Sequence, residues 1–81
     1  MKAVLVLIGD RLDNAVKVQE VLTKYGDYIR TRLGLNLQLC ENEQNSGFLF
    51  LEVCGELPVN QMCEELNSIG NVKAQCVELT L

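Results

Sequence analysis

The sequence predicts a single α+β domain over residues 1–81, a four-stranded antiparallel sheet with two helices on one face. Three observations carry this. Apolar runs of strand length begin at Lys2, Tyr28, Gly47 and Val72. Two stretches with apolar residues three and four apart lie between the first and second and between the third and fourth of them. Polar or glycine-containing turns separate every pair. The order β-α-β-β-α-β, with two right-handed βαβ crossings around a hairpin, defines the ferredoxin-like arrangement, and its strand order is 4-1-3-2.

Lys2–Ile8 (KAVLVLI) is apolar on both faces, Val4, Val6 and Ile8 on one and Ala3, Leu5 and Leu7 on the other. That is the pattern of a central strand covered on both sides. Gly9-Asp10-Arg11 turns the chain, and Asp13 or Asn14 can cap the next helix by accepting a backbone N–H. Asn14–Tyr25 then reads as a helix with an apolar stripe of Ala15, Val18, Val21, Leu22 and Tyr25, stopped by Gly26.

Tyr28–Cys40 alternates with period two, and Gly34 in its middle predicts a bulge or bend. Glu41–Ser46 reads as a hairpin loop. Gly47–Cys54 is the third strand, with Leu49, Leu51 and Val53 facing one way and Phe48, Phe50, Glu52 and Cys54 the other. Pro58 suits the first position of the second helix, whose stripe is Val59, Met62, Cys63, Leu66 and Ile69. Gly70-Asn71 ends it, and Val72–Leu79 is the last strand.

Composition narrows the function. Hydrophobic residues make up 48% of the chain, too many for intrinsic disorder. No apolar run reaches the ~18–20 residues of a membrane span. The first apolar run lacks a cleavage site of small residues, so it reads as a strand and not a signal peptide. The net charge of −4 opposes direct binding to nucleic acid or to anionic membranes. Charge is uneven. Residues 1–40 carry six basic against four acidic side chains, and residues 41–81 carry one against seven. The two halves, or two subunits, could therefore meet with complementary charge.

The cysteines at 40, 54, 63 and 76 include no C-x-x-C pair, and no histidine completes a mixed metal site. Cys40, Cys54, Cys63 and Cys76 are expected as reduced thiols in a cytoplasm, packed as small hydrophobes. The lack of histidine closes imidazole chemistry, and no nucleotide-binding loop is present. Ser46 and Ser68 have no activating partner, and the carboxylates are scattered. The expectation is a protein that is not an enzyme and uses no cofactor.

Two features point to function. The helices cover one sheet face, and the other would carry Phe48, Phe50 and half of the first strand, a patch larger than a soluble monomer leaves open. Phe48 and Phe50 are therefore candidate interface residues of a homo-oligomer, a dimer or tetramer. The second feature is polar. Asp10, Arg11 and Asn14 lie where the first strand meets the first helix, where free N–H groups can receive an anion. With Arg32 contributing across a subunit boundary, these four are the candidate ligand-binding residues.

Beyond this chemistry, Asp10-Arg11, Lys17-Val18-x-Glu20-Val21-Leu22, Tyr25-Gly26-Asp27-x-Ile29 and Arg32-Leu33-Gly34-Leu35 together resemble the iron-only hydrogenase system regulators. These are stand-alone ACT-like domains similar to the C-terminal domain of the nickel-responsive regulator. The resemblance spans most of the chain and is clearest over residues 4–36. It implies a ferredoxin-like fold, oligomerisation and a regulatory role, and none of its motifs is catalytic. That regulator holds nickel through histidines, so this chain cannot sense nickel by that route. Two functions follow as expectations. One is a regulatory or small-molecule-sensing module acting as a homo-oligomer. The other is a non-catalytic assembly factor that docks a partner on the open sheet face.

Overall fold

In a computed structural model, residues 1–37 and 46–81 are described. The elements are β1 (Lys2–Ile8), α1 (Arg11–Lys24), a short 3-10 turn (Gly26–Tyr28), β2 (Ile29–Leu37), β3 (Ser46–Val53), α2 (Glu56–Asn67) and β4 (Val72–Glu78). The sheet is antiparallel throughout, in the order β2-β3-β1-β4. Read from the other edge this is 4-1-3-2, the ferredoxin-like topology.

The register sorts side chains between the two faces. Val4 pairs with Leu51 and Cys76, Val6 with Leu49 and Ala74, and Ile8 with Gly47 and Val72. These positions face the helices. Val18, Leu22 and Tyr25 of α1 and its end, with Val59, Met62 and Leu66 of α2, close the core over Val4, Val6, Ile8, Leu51, Val53 and Val72. Leu51 and Met62 are fully buried. Truncating either to alanine should cost about 2–5 kcal/mol, because the cavity left behind is only partly refilled. Urea denaturation would read this as a lower midpoint with an unchanged slope.

Three local readings change. First, α1 begins at Arg11, three residues ahead of the expected start. Its N-cap is Asp10 in the left-handed region (φ 47°), with no side-chain cap bond. Asp13 and Asn14 are therefore inside the helix, not capping it. Second, α2 begins at Glu56, so Pro58 sits third in the helix, still within the turn whose N–H groups lack intrahelical partners. Third, the register shift in β2 falls between Ile29 and Thr31, not at Gly34. Gly34 instead sits in the regular ladder opposite Leu49, where an added Cβ would lie 3.2 Å from Leu49 Cδ2. The expected hairpin loop at Glu41–Ser46 lies outside the described residues except for Ser46, which opens β3. Cys40 also lies outside them.

The two helices are clipped together at one end. Lys24 Nζ of α1 donates to Glu65 Oε1 of α2 at 2.6 Å, and the ammonium lies 5.4 Å from the Tyr25 ring centre. The hydrogen bond from Lys24, and secondarily the Tyr25 hydroxyl, hold the Glu65 carboxyl below its usual range. The same bond raises Lys24. A depressed carboxyl stabilises the fold above its unfolded value and loses that effect as pH falls through the folded value. A raised lysine stabilises below its unfolded value and loses the effect as pH rises through the folded one. The Glu65→Gln variant should therefore melt with a weaker dependence on pH below about 4.5 and above about 10.5 than the native chain. Lys24 is largely and Glu65 partly exposed, so the difference at neutral pH should be small and should shrink in salt.

Candidate functional site

The β1–α1 turn meets the α2–β4 turn at one end of the sheet. Gly9 N–H donates to Asn71 O at 2.7 Å, and Asn71 Nδ2 donates to Asp10 Oδ2 at 2.5 Å. Asp10 and Asn71 both hold positive φ, which short polar side chains tolerate by bonding locally. Asn14 is the one buried polar residue among those described. Its amide donates to Gly9 O at 2.8 Å and to Gly70 O at 3.0 Å. Both N–H groups of that amide are thus spent tying two turns together. Asp10 and Asn14, offered as ligand contacts, therefore serve here to build the turn.

Arg11 and Arg32 are brought together on a different feature. α1 leaves the outer half of the sheet's helix-facing side uncovered, and a cleft of about 320 Å³ opens between α1 and strands β2 and β3. Arg11, Ala15 and Gln19, at four-residue spacing on α1, form one wall, and Arg32 and Gly34 of β2 form the other. Ile8, Val18, Gly47 and Leu49 make an apolar floor. Two of its lining positions, Gly47 in the floor and Gly34 in the wall, carry no side chain. A Cβ at Gly47 would lie 3.1 Å from Arg11 Cδ, and one at Gly34 would meet Leu49. The Arg32 guanidinium reaches back across the opening and donates to the Gln19 side-chain carbonyl.

Two arginines lining an apolar-floored cleft supply the residue type that recognises a carboxylate or phosphate by paired N–H donors while its body packs below. The cleft is of the size of small-molecule pockets. Gln19 escaped sequence reading. The signal was available, since Arg11, Ala15 and Gln19 share one flank of α1 beside the core stripe. Gly47 was read only as a strand start, although its lack of a side chain makes room for the Arg11 stem.

Among the described residues no group of cysteine and carboxylate side chains could hold a metal ion, and Cys54, Cys63 and Cys76 are free thiols. Burial, and secondarily Cys76, pushes the Cys63 thiol up, away from the thiolate that metal binding or nucleophilic attack requires. Cys54 Sγ lies 3.7 Å from the Tyr28 carbonyl oxygen.

Among the described residues no helix lies over the opposite face of the sheet. The chain is only 17 Å deep in its shortest direction, one sheet and one helix layer. Phe48 and Phe50 are half-buried there, and Leu7 and Leu33 remain 45% and 53% exposed. Phe48 and Phe50 thus lie on the face expected of them.

The described residues form a ferredoxin-like α+β domain, and none of its helices is long and apolar enough to cross a membrane. An uncharacterized protein from Thermotoga maritima shares this fold, with a TM-score of 0.84 and 21% sequence identity, over 98% of this chain and 95% of that one. No family model matches the chain, and no curated protein matches it.

Proposed function

We propose that this chain is a non-catalytic sensing module of the ACT-like kind, a homo-oligomer that binds a small organic anion in the cleft between α1 and β2–β3. The carrying observation is the convergence of Arg11 and Arg32 on one apolar-floored cleft held open by Gly34 and Gly47. The motif resemblance to the iron-only hydrogenase system regulators supports a regulatory role connected with such an enzyme system. Ligand occupancy between α1 and the outer strands would brace the α1 flank of Arg11, Ala15 and Gln19 against β2 and β3, and that is how binding would be transmitted. The free thiols suit a reducing cytoplasm.

The test is a melting-temperature screen against carboxylates and phosphate esters. A ligand at a hundred times its dissociation constant stabilises by about 2.7 kcal/mol, which for a domain of this size is a rise of roughly 10 °C or more. Arg32→Gln should remove at least half of that rise, and Gly34→Val should abolish it by filling the cleft. A screen without a hit overturns the sensing reading.

A second reading has its own observation. The exposed Leu7 and Leu33 beside Phe48 and Phe50 suit an assembly factor that docks a different protein on the open face. It requires that the purified chain be monomeric and that the partner compete with no self-association.

A further inference from the structure

Among the residues paired with β1, the open face carries Lys73 of β4 and Glu52 of β3, and their positions are related. Leu5 pairs with Phe50 on one side and Gln75 on the other. One step toward the Ile8 end, Leu7 pairs with Phe48 and Lys73. One step toward the Lys2 end, Ala3 pairs with Glu52 and Val77. Strands lie about 4.8 Å apart, and residues on one face recur every ~6.7 Å along a strand. Lys73 is thus one strand across and one step up from Leu5, and Glu52 is one strand across the other way and one step down.

Both side chains belong to this face. Lys73 and Gln75 share a groove of about 450 Å³ with Leu5, Leu7 and Phe48. Glu52 accepts a hydrogen bond from Thr31 Oγ1 at 3.0 Å across the adjoining pair, leaving carboxylate lone pairs to spare. Between the two charges the face is apolar, with Leu5, Leu7, Leu33, Phe48 and Phe50.

We infer that the occupant of this face is a second copy of the chain, laid face to face with its strands crossing the first at near right angles, so that Lys73 of each copy meets Glu52 of the other. This rests on the proposed homo-oligomer and specifies its geometry. Sheets pack either nearly aligned or orthogonally. A twofold axis parallel to the strands sets Lys73 over the apolar columns of the second copy. An axis perpendicular to the strands sets Lys73 over Val77 and Glu52 over Phe48. The diagonal axis from Leu5 toward Lys73 sets like charges on each other. Only the other diagonal, from Leu5 toward Phe48, matches charge with charge. Set at about 45° to the strands, so that the two sheets cross at right angles, it brings Lys73 to within about 3 Å of lateral register with Glu52 of the second copy. It also sets Phe48 against Phe48 and Phe50 against Leu7. The interface is isologous, so the ion pair occurs twice.

Sedimentation equilibrium of the full chain tests this with charge exchange. K73E and E52K should each weaken self-association at least about tenfold, since each creates two like-charge contacts, and the double variant K73E/E52K should restore it. Should a reversal unfold the chain, the neutral variants K73Q and E52Q replace it, and their combined effect should be smaller than the sum of the single ones. F50S is the control for the face itself. If F50S dissociates the oligomer while the charge variants leave it intact, or the double variant is weaker than either single one, the crossed geometry is overturned and the covered face stands. If F50S and the charge variants all leave the native oligomer unchanged, or the native chain is monomeric, both are overturned.

Discussion

Asn14→Ala should destabilise the domain by about 2–4 kcal/mol while leaving its affinity for a cleft ligand nearly unchanged. The amide is buried and donates to Gly9 O and Gly70 O, carbonyls of turns that are distant in sequence. Alanine removes both donors and leaves buried acceptors behind, each costing about 1–3 kcal/mol when water cannot reach it. Asn14 also sits at the junction where Gly9 N–H meets Asn71 O, so the loss loosens the link between the two βαβ halves. Urea denaturation should report a marked fall in the midpoint. Where the folded fraction is still near one, ligand titration should give an unchanged dissociation constant. A variant that melts normally but fails to bind would restore Asn14 as a ligand contact.

Replacing Phe48 and Phe50 together by serine should weaken self-association by at least about a hundredfold. Aromatic residues near the centre of an interface each contribute about 2 kcal/mol or more when they are hot spots, and a twofold dimer loses every contact twice. Both rings stand on the face away from the helices, so their loss creates no cavity between sheet and helices. The melting temperature of the dissociated variant should thus remain close to that of a dilute native sample. Native mass spectrometry over a concentration series measures this, with monomer predominating for the variant where the native chain is still associated.

Period and parity made most of the fold legible. Parity separated Val4, Val6 and Ile8 from Ala3, Leu5 and Leu7, and in Gly47–Cys54 it put Phe48 and Phe50 on the face away from the helices, but Lys2–Ile8, apolar on both faces, read as covered on both sides, whereas helices cover only the Val4, Val6 and Ile8 side. The stripe Val59, Met62, Leu66 was equally clear. Local chemistry was less reliable. Asp13 and Asn14 look like caps, yet the helix starts earlier on a left-handed Asp10 that makes no side-chain cap bond. Asn14 is spent on Gly70, a contact 56 residues away in sequence that no local pattern encodes. Gly34 suggested a bulge because glycine interrupts a strand, whereas its effect here is spatial, the absence of a side chain opposite Leu49.

The same distinction holds for the candidate site. Arg11 was legible at the turn into α1 and Arg32 as a contribution from across a subunit boundary, but both line one cleft of the same chain, which depends on β2 being the outer strand and on α1 stopping short of it. Gln19 and Gly47 acquire meaning only once that geometry is set. The pair Lys73 and Glu52 stands on separate strands on either side of β1, so its relation appears only with the register.

The most direct test of an anion-sensing oligomer is native mass spectrometry of the full chain, purified under reducing conditions and then titrated with the carboxylates that raise its melting temperature. The account predicts a dimer or larger even-numbered assembly that takes up one ligand per chain, with uptake lost in Arg32→Gln and in Gly34→Val. A monomer that binds no anion at any concentration would contradict it.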